Sequence, residues 1–232
     1  MPGDVVRVEI VRLRVRDHGY TFSFPGALGT GLLPDDFPDG RMVHFDHDLE
    51  AMTTRLAGVV VGLRPMLGIV AVAPAEPGHH GSLRPGPFGG NLDLAVAGEG
   101  CAIYLPVQVP GALLSIGDGH ARQGHGEVCT SAIEAGLSHV ELQIDLLRGT
   151  RQTGLRAQTQ DSWITLGLHQ DLLEASRAAI REMIALLVER GMDRSDAYAL
   201  CSIAADLVVT QVVNGVRGVH ARIDASLLAQ LQ

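Results

Sequence analysis

The sequence predicts an α+β protein that is mostly β: a sandwich-like body of short strands, then a C-terminal helical pair and a closing strand. Three observations predict it. The chain carries 28 glycines and 11 prolines, dense through its first two thirds, where they divide short apolar runs as turn residues do. Two runs in that part alternate apolar and polar residues with a period of two. A helical apolar stripe begins only after Leu168. The expected organisation is a β-rich body over 1–166 that carries the site, with 167–232 packed on it as one unit.

Val5 to Val15 alternates Val and Ile with Arg and Glu, as a half-buried strand does, and its phase slips at Ile10-Val11, which predicts a bulge. Gly19 to Gly40, rich in Gly, Pro and Asp, reads as a long loop. Val59 to Val61 and Leu67 to Val72 read as short strands separated by Pro65, and Pro74 to Gly90 as a second irregular loop. Cys101 to Val109 and Ala112 to Ile116 flank Pro110-Gly111 and predict a hairpin. Ser138 to Leu146 is the cleanest alternating strand, with Val140, Leu142, Ile144 and Leu146 on one face. From Asp171 to Arg190 the residues Leu172, Leu173, Ile180, Met183, Ile184, Leu187 and Val188 form a helical stripe, stopped by Gly191. Asp193 or Ser195 caps a second helix to about Ala205. Val208 to Val213 reads as the closing strand, with Asp206 before it as a cap or buried hydrogen-bond anchor.

At 232 residues the chain can bury a substantial core. A net charge of −8 argues against nucleic acid as the main partner. No apolar run is long enough to span a bilayer, so no membrane role is expected. The first residues show no basic region followed by an apolar stretch. Cys101, Cys129 and Cys201 are scattered and odd in number, which suits reduced thiols of a cytoplasmic protein.

The segment Gly117-Asp118-Gly119-His120-Ala121-Arg122-Gln123-Gly124-His125-Gly126-Glu127 holds two carboxylates, two imidazoles and four glycines in eleven residues. Asp118 and His120, two apart, share a face of an extended segment, and Glu127 can return to them across a turn. Such an oxygen-nitrogen-oxygen set suits a divalent metal or general acid–base work, although a solvated glycine loop would look the same. In Phe88-Gly89-Gly90-Asn91-Leu92-Asp93, the glycines allow close backbone approach to a ligand, and Asn91 and Asp93 share a face; an Asx turn is the plainer reading. His79-His80 reads as a surface loop. His44, Asp46 and Asp48 have ligand-like spacing, with His47 between them. Cys129 is either a nucleophile or, more simply, a small buried apolar residue.

The ordered run of Pro74-Ala75-Glu76-Pro77-Gly78, Gly89-Gly90-Asn91-Leu92-Asp93, Tyr104-Leu105-Pro106-Val107, Pro110 to His120, Gln123-Gly124, Gly126-Glu127-Val128-Cys129, Asp196-Ala197-Tyr198, Asp206-Leu207 and Thr210-Gln211 resembles the acetamidase/formamidase family. The resemblance implies hydrolysis of a short-chain amide to carboxylate and ammonia. It also implies a mostly β fold with a smaller α/β portion, and a divalent metal, zinc or calcium, near Asn91, Asp93, Asp118, His120 and Glu127. On this reading Asp93, Asp118 and His120 hold the metal, Glu127 and Asp118 move protons, and Asn91 and Gly90 contact a small amide substrate. The chain departs from the family in two ways. His125 stands where an acid is usual, and the N-terminal segment that usually precedes Pro2-Gly3-Asp4 is missing. The second departure motivates an alternative, a non-catalytic metal- or small-molecule-binding module, and it would leave strand edges for a homo-oligomer to cover.

Overall fold

The computed structural model describes residues 1–24, 31–150 and 152–231. Its strands are β1 (Val5–Val15), β2 (His18–Ser23), β3 (Arg41–Asp46), β4 (Thr53–Leu56), β5 (Val59–Gly62), β6 (Met66–Ala71), β7 (Gly89–Asn91), β8 (Ala102–Pro106), β9 (Ser115–Arg122), β10 (Ile133–Glu134), β11 (Leu137–Leu147), β12 (Leu155–Gln158) and β13 (Ser162–His169). Helices α1 (Leu172–Glu189) and α2 (Arg194–Ala204) follow, then β14 (Asp206–Gln211), β15 (Arg217–Asp224) and the short α3 (Ala225–Leu228). The protein is mostly β with its main helices near the C-terminus, as the sequence predicts.

Two sheets form the body. One runs β11-β1-β8-β12-β13-β15-β14, the other β3-β2-β10-β9-β6-β7, and β4-β5 is a separate hairpin. Apolar residues facing inward from both sheets make one core: Val6, Val8 and Ile10 of β1, Ile103 and Leu105 of β8, and Leu67 and Val70 of β6. Interdigitated inner faces of this kind define a sandwich. The helices cover the far face of the seven-stranded sheet, where Ala175, Ala179, Met183 and Leu187 of α1 meet Val219, Ala221 and Ile223 of β15. The contact is close because Gly167 on β13 has no side chain. A Cβ there would lie 2.0 Å from the carbonyl oxygen of Ala175. Strand β13 crosses residue 166 and is hydrogen-bonded on both sides, to β12 and β15.

Several local expectations hold. The ladder of β1 with β11 shifts register between Ile10 and Arg12, where the alternation slips. Of the two expected caps of α2 it is Asp193 that accepts, from Ser195 N and Asp196 N; Asp171, not singled out as a cap, accepts from Glu174 N at the start of α1. Gly191, at φ +94°, ends α1 with its N–H donating to Val188 O while Met192 N donates to Leu187 O.

Others are corrected. The segments around Pro110-Gly111 do not pair: β8 belongs to the seven-stranded sheet and β9 to the other, so the turn carries the chain between sheets. Residues 19–23 of the expected long loop are strand β2, paired with β3; residues 25–30 lie outside the described residues. Leu172, Leu173 and Val188 of the expected stripe are exposed on α1, while Met183, Ile184 and Leu187 are buried with Ala175 and Ala179. Asp206 is an exposed partner of Arg222, at 2.8 Å. Among the described residues no helix is long and apolar enough to cross a membrane.

Candidate active site

The glycine-rich motifs meet over β6. The carbonyl of Gly68 accepts from Leu92 N (3.0 Å) and Asp93 N (3.2 Å), which turns the chain after β7 and brings Asp93 back over the sheet. On the adjacent strand β9, Asp118 and His120 face the same side. A methyl group on residue 68 would lie 2.3 Å from Asp118 Oδ2 and 2.7 Å from Asp93 Oδ1. The two carboxylates therefore converge on space that only a glycine leaves open. Beyond β9 a tight turn returns Glu127. It is anchored by Gly126, whose N–H donates to Thr210 O (2.9 Å) and whose carbonyl accepts from Val212 N (3.2 Å).

His120 is the hub. Its Nε2 lies 3.2 Å from both Asp118 Oδ1 and Glu134 Oε2, and its Nδ1 lies 2.9 Å from Gln123 Oε1 and 4.0 Å from Asp93 Oδ1. Gln123 Nε2 donates in turn to Asp93 O at 2.7 Å. Asn214, from the turn between β14 and β15, donates through Nδ2 to Asp93 Oδ2 (2.5 Å) and Asn91 O (3.0 Å). Gln211 Oε1 positions it by accepting from Val213 N and Asn214 N.

The electrostatics follow from burying several acids together. Burial pushes Glu127 up to about 10, reinforced by the negative charge of Asp93. Burial lifts Asp93 to about 6 against the opposing pull of His120 and Asn214. For His120 burial works downward, but hydrogen bonds to Asp118 and Glu134 outweigh it and hold the imidazole at about 11. The surrounding carboxylates thus favour the charged form of the His120 imidazole, and burial favours the protonated form of Glu127.

Three buried oxygens, Asn91 Oδ1, Asp93 Oδ1 and Glu127 Oε2, have no hydrogen-bond partner among the described residues. Polar atoms buried in this way call for a ligand. Two groupings bring three donor atoms within 4.8 Å of one another: Asp93, Asp118 and His120, and His120, Glu127 and Glu134. The orphaned Asp93 oxygen and the open space above Gly68 fit a small divalent cation held by Asp93, Asp118 and His120. Its binding would require His120 to release a proton.

A cleft of about 500 Å³ opens above the cluster, lined by Asn91, Asp118, His120, Glu127, Glu134 and Asn214 on its polar side. Asp93 lies buried beneath it. Gly90 is buried in the ladder opposite Val70 and does not line the cleft. His125 faces His220 at 5.3 Å, outside the cleft. The other candidates stay apart. His80 is exposed and bonds Glu76 O, and Asp48 caps a turn by accepting from Glu50 N and Ala51 N. Cys129 is exposed, contrary to the buried role expected of it, and lies outside the cleft. Gln123 entered only as part of the glycine-rich segment, and Glu134, Asn214 and Gly68 were not singled out from the sequence. No local motif marks these three, because each reaches the site from a different strand or turn.

Comparisons with known proteins show what the chain as a whole is similar to. An acetamidase from Bacillus halodurans has 29% sequence identity over 99% of this chain and 76% of its own, with a TM-score of 0.91. An acetamidase from Yersinia enterocolitica gives 29%, 99% and 71%, with a TM-score of 0.90. The acetamidase of Mycolicibacterium smegmatis is 41% identical over 70 residues, a stretch spanning 30% of this chain and 17% of that relative. The sequence profile of the Acetamidase/Formamidase family matches residues 82–219, more than half of the chain and a range that includes Asn91, Asp93, Asp118, His120, Glu127 and Asn214. The chain belongs to the acetamidase/formamidase family.

Proposed function

We propose that the cleft hydrolyses a primary carboxamide to a carboxylate and ammonia, with a divalent metal as cofactor. The observation that carries this reading is the set of three unpartnered buried oxygens, Asn91 Oδ1, Asp93 Oδ1 and Glu127 Oε2, beside His120 at the base of an open cleft. Asp93, Asp118 and His120 would hold the metal, and the bound ion would supply polarisation of the amide carbonyl and an acidified water. The proton work divides between two acids with different surroundings. Asp118, open to the cleft, accepts a proton from the attacking water as its oxygen bonds to the carbonyl carbon. Glu127, whose protonated form burial favours, donates its proton to the amide nitrogen as the C–N bond breaks. A proton passing from Asp118 to Glu127 restores both, so amide and water become acid and ammonia. Asn91, on the cleft wall, binds the substrate.

The test is ammonia release from acetamide by purified protein, with metal content measured before and after chelation. Chelation should remove metal and activity together. Glu127→Gln should retain metal and lose activity by about 10²–10⁴-fold, the usual worth of a positioned proton donor. Full turnover by that variant would remove Glu127 from the reaction. Metal retention without ammonia from any primary amide would leave a binding protein.

The same reading includes a reducing compartment such as the cytoplasm, consistent with three free cysteines. It also includes self-association. Strand β11 is the outer edge of its sheet, and Val140, Ile144 and Leu146 remain exposed along one face. Antiparallel pairing of β11 with a second copy about Leu142 would place Val140 opposite Ile144 and His139 opposite Asp145, apolar on one face and polar on the other.

A further inference from the structure

The cleft is much larger than the smallest amides require. With a water taking up about 30 Å³, acetamide occupies on the order of 100 Å³. The cleft measures about 500 Å³. Its remaining volume has a definite character. Tyr20, Phe22 and Phe24, two residues apart along and just beyond β2, present one face to it. Successive rings lie 6.2 and 4.8 Å apart. Thr21, between them, turns the opposite way and contacts Ser131 Oγ at 2.9 Å. The row has a direction: Tyr20 pairs across the ladder with Glu134, a partner of His120, and Phe22 and Phe24 continue away from it. Leu83 adds an apolar contact to the lining. Tyr20, Phe24 and Leu83 are 41%, 43% and 52% exposed, so this apolar surface is open to a ligand.

We propose that the preferred substrate of this site is a primary amide whose acyl group carries an apolar arm, aliphatic or arylalkyl, laid along Tyr20, Phe22 and Phe24. The proposal rests on the amide-hydrolysis reading and names its substrate class. The carboxamide sits at the polar end, among Asn91, Asp118 and Glu127. The arm leaves the carbonyl carbon on the side away from the nitrogen and runs outward over the rings. The reaction balance is that of any primary amide, because the arm takes no part in bond changes. Its contribution is burial of apolar surface, worth about a fourfold gain in binding for each methylene covered. That contact is the same in ground and transition states, so it acts on KM more than on kcat.

The experiment is a series of kcat/KM measurements on the metal-loaded full chain with acetamide, butyramide, hexanamide and phenylacetamide. The expected result is a rise of about fourfold per methylene over the first few carbons, mostly as a falling KM. In Phe24→Ala and Leu83→Ala, both at exposed positions, hexanamide and phenylacetamide should lose several-fold more kcat/KM than acetamide does. If acetamide is the best substrate, or rates are flat along the series, the apolar-arm proposal is overturned while amide hydrolysis stands. If the series rises but neither variant flattens it, the placement of the arm along this wall is overturned. No ammonia from any member of the series would overturn both.

Discussion

Three of the acids in the site sit in backbone conformations that side chains avoid. Asp93, Asp118 and Glu127 have φ of +46°, +58° and +47°. Each such residue costs about 1–3 kcal/mol unless its surroundings enforce it. The enforcement is visible: Gly68 O holds the Asp93 turn, and the Gly126 contacts to β14 hold Glu127. Gly68 is the most sensitive neighbour, since a methyl group there meets Asp118 Oδ2 and Asp93 Oδ1. Gly68→Ala should lower amide hydrolysis by at least about 100-fold, the scale of lost positioning at a reacting centre. Because the clash falls on side-chain ends, its thermal melt should stay close to that of the wild type. Ammonia release and a circular-dichroism melt on the same sample check this, and an active Gly68→Ala protein would contradict the convergence of the two carboxylates. The GGNLD and GDGH motifs were legible because glycines and ligands are local in sequence. Gly68, in Leu67-Gly68-Ile69, carries no such mark; its meaning arises only when two other segments fold over it.

Arg156 couples elements that the sequence alone does not connect. It lies on β12, buried, with Nε 2.6 Å from Glu182 Oε1 and its two terminal nitrogens 2.6 and 2.7 Å from Glu189, both acids belonging to α1. Removing one member of a buried ionic group leaves uncompensated charge, so Arg156→Ala should destabilise the fold by about 3–5 kcal/mol, read by urea unfolding. Hydrogen bonding to Arg156 lowers the pKa of Glu189 below its ordinary 4.5. The pair therefore stabilises the native state above about pH 4.5, and that contribution is lost as pH falls through the depressed native value. Glu189→Gln should show a smaller drop in melting temperature between pH 6 and pH 3 than the wild type. Strand β1, with its bulge, the Gly191 stop of α1 and the cap of α2 were legible because their signals are local. Strands β12, β13 and β15 were not. Trp163-Ile164-Thr165-Leu166 is covered by the core on one side and by α1 on the other, so its sequence has no polar alternation to reveal it. The row Tyr20, Phe22, Phe24 did carry a period of two, masked by the glycines and prolines that follow.

At the scale of the whole molecule, the exposed apolar face of β11 makes a prediction that a monomer would not. Ile144→Lys should shift light-scattering mass from dimer to monomer while leaving the melt of the monomer within about 0.5 kcal/mol, as expected of an exposed position. A wild-type protein that runs as a monomer at high concentration would end the pairing about Leu142. The sandwich was legible as a class, from turn density and alternation. Its topology was not, because the Pro110-Gly111 turn leads from one sheet to the other and nothing local distinguishes that crossing from a hairpin.

The bond from Asn214 to Asp93 spans 121 positions of the chain. Synthesis on the ribosome runs from the N-terminus, at about 5–20 residues per second. Asp93, Asp118, His120 and Glu127 therefore emerge well before the amide that closes over them. Until the last two strands leave the exit tunnel and pair, those acids have no lid from β14 and β15 and stay open to water. A nascent chain arrested near residue 200 should hold every proposed ligand and still lack a finished catalytic pocket, which makes the pairing of β14 with β15 the step that matures it.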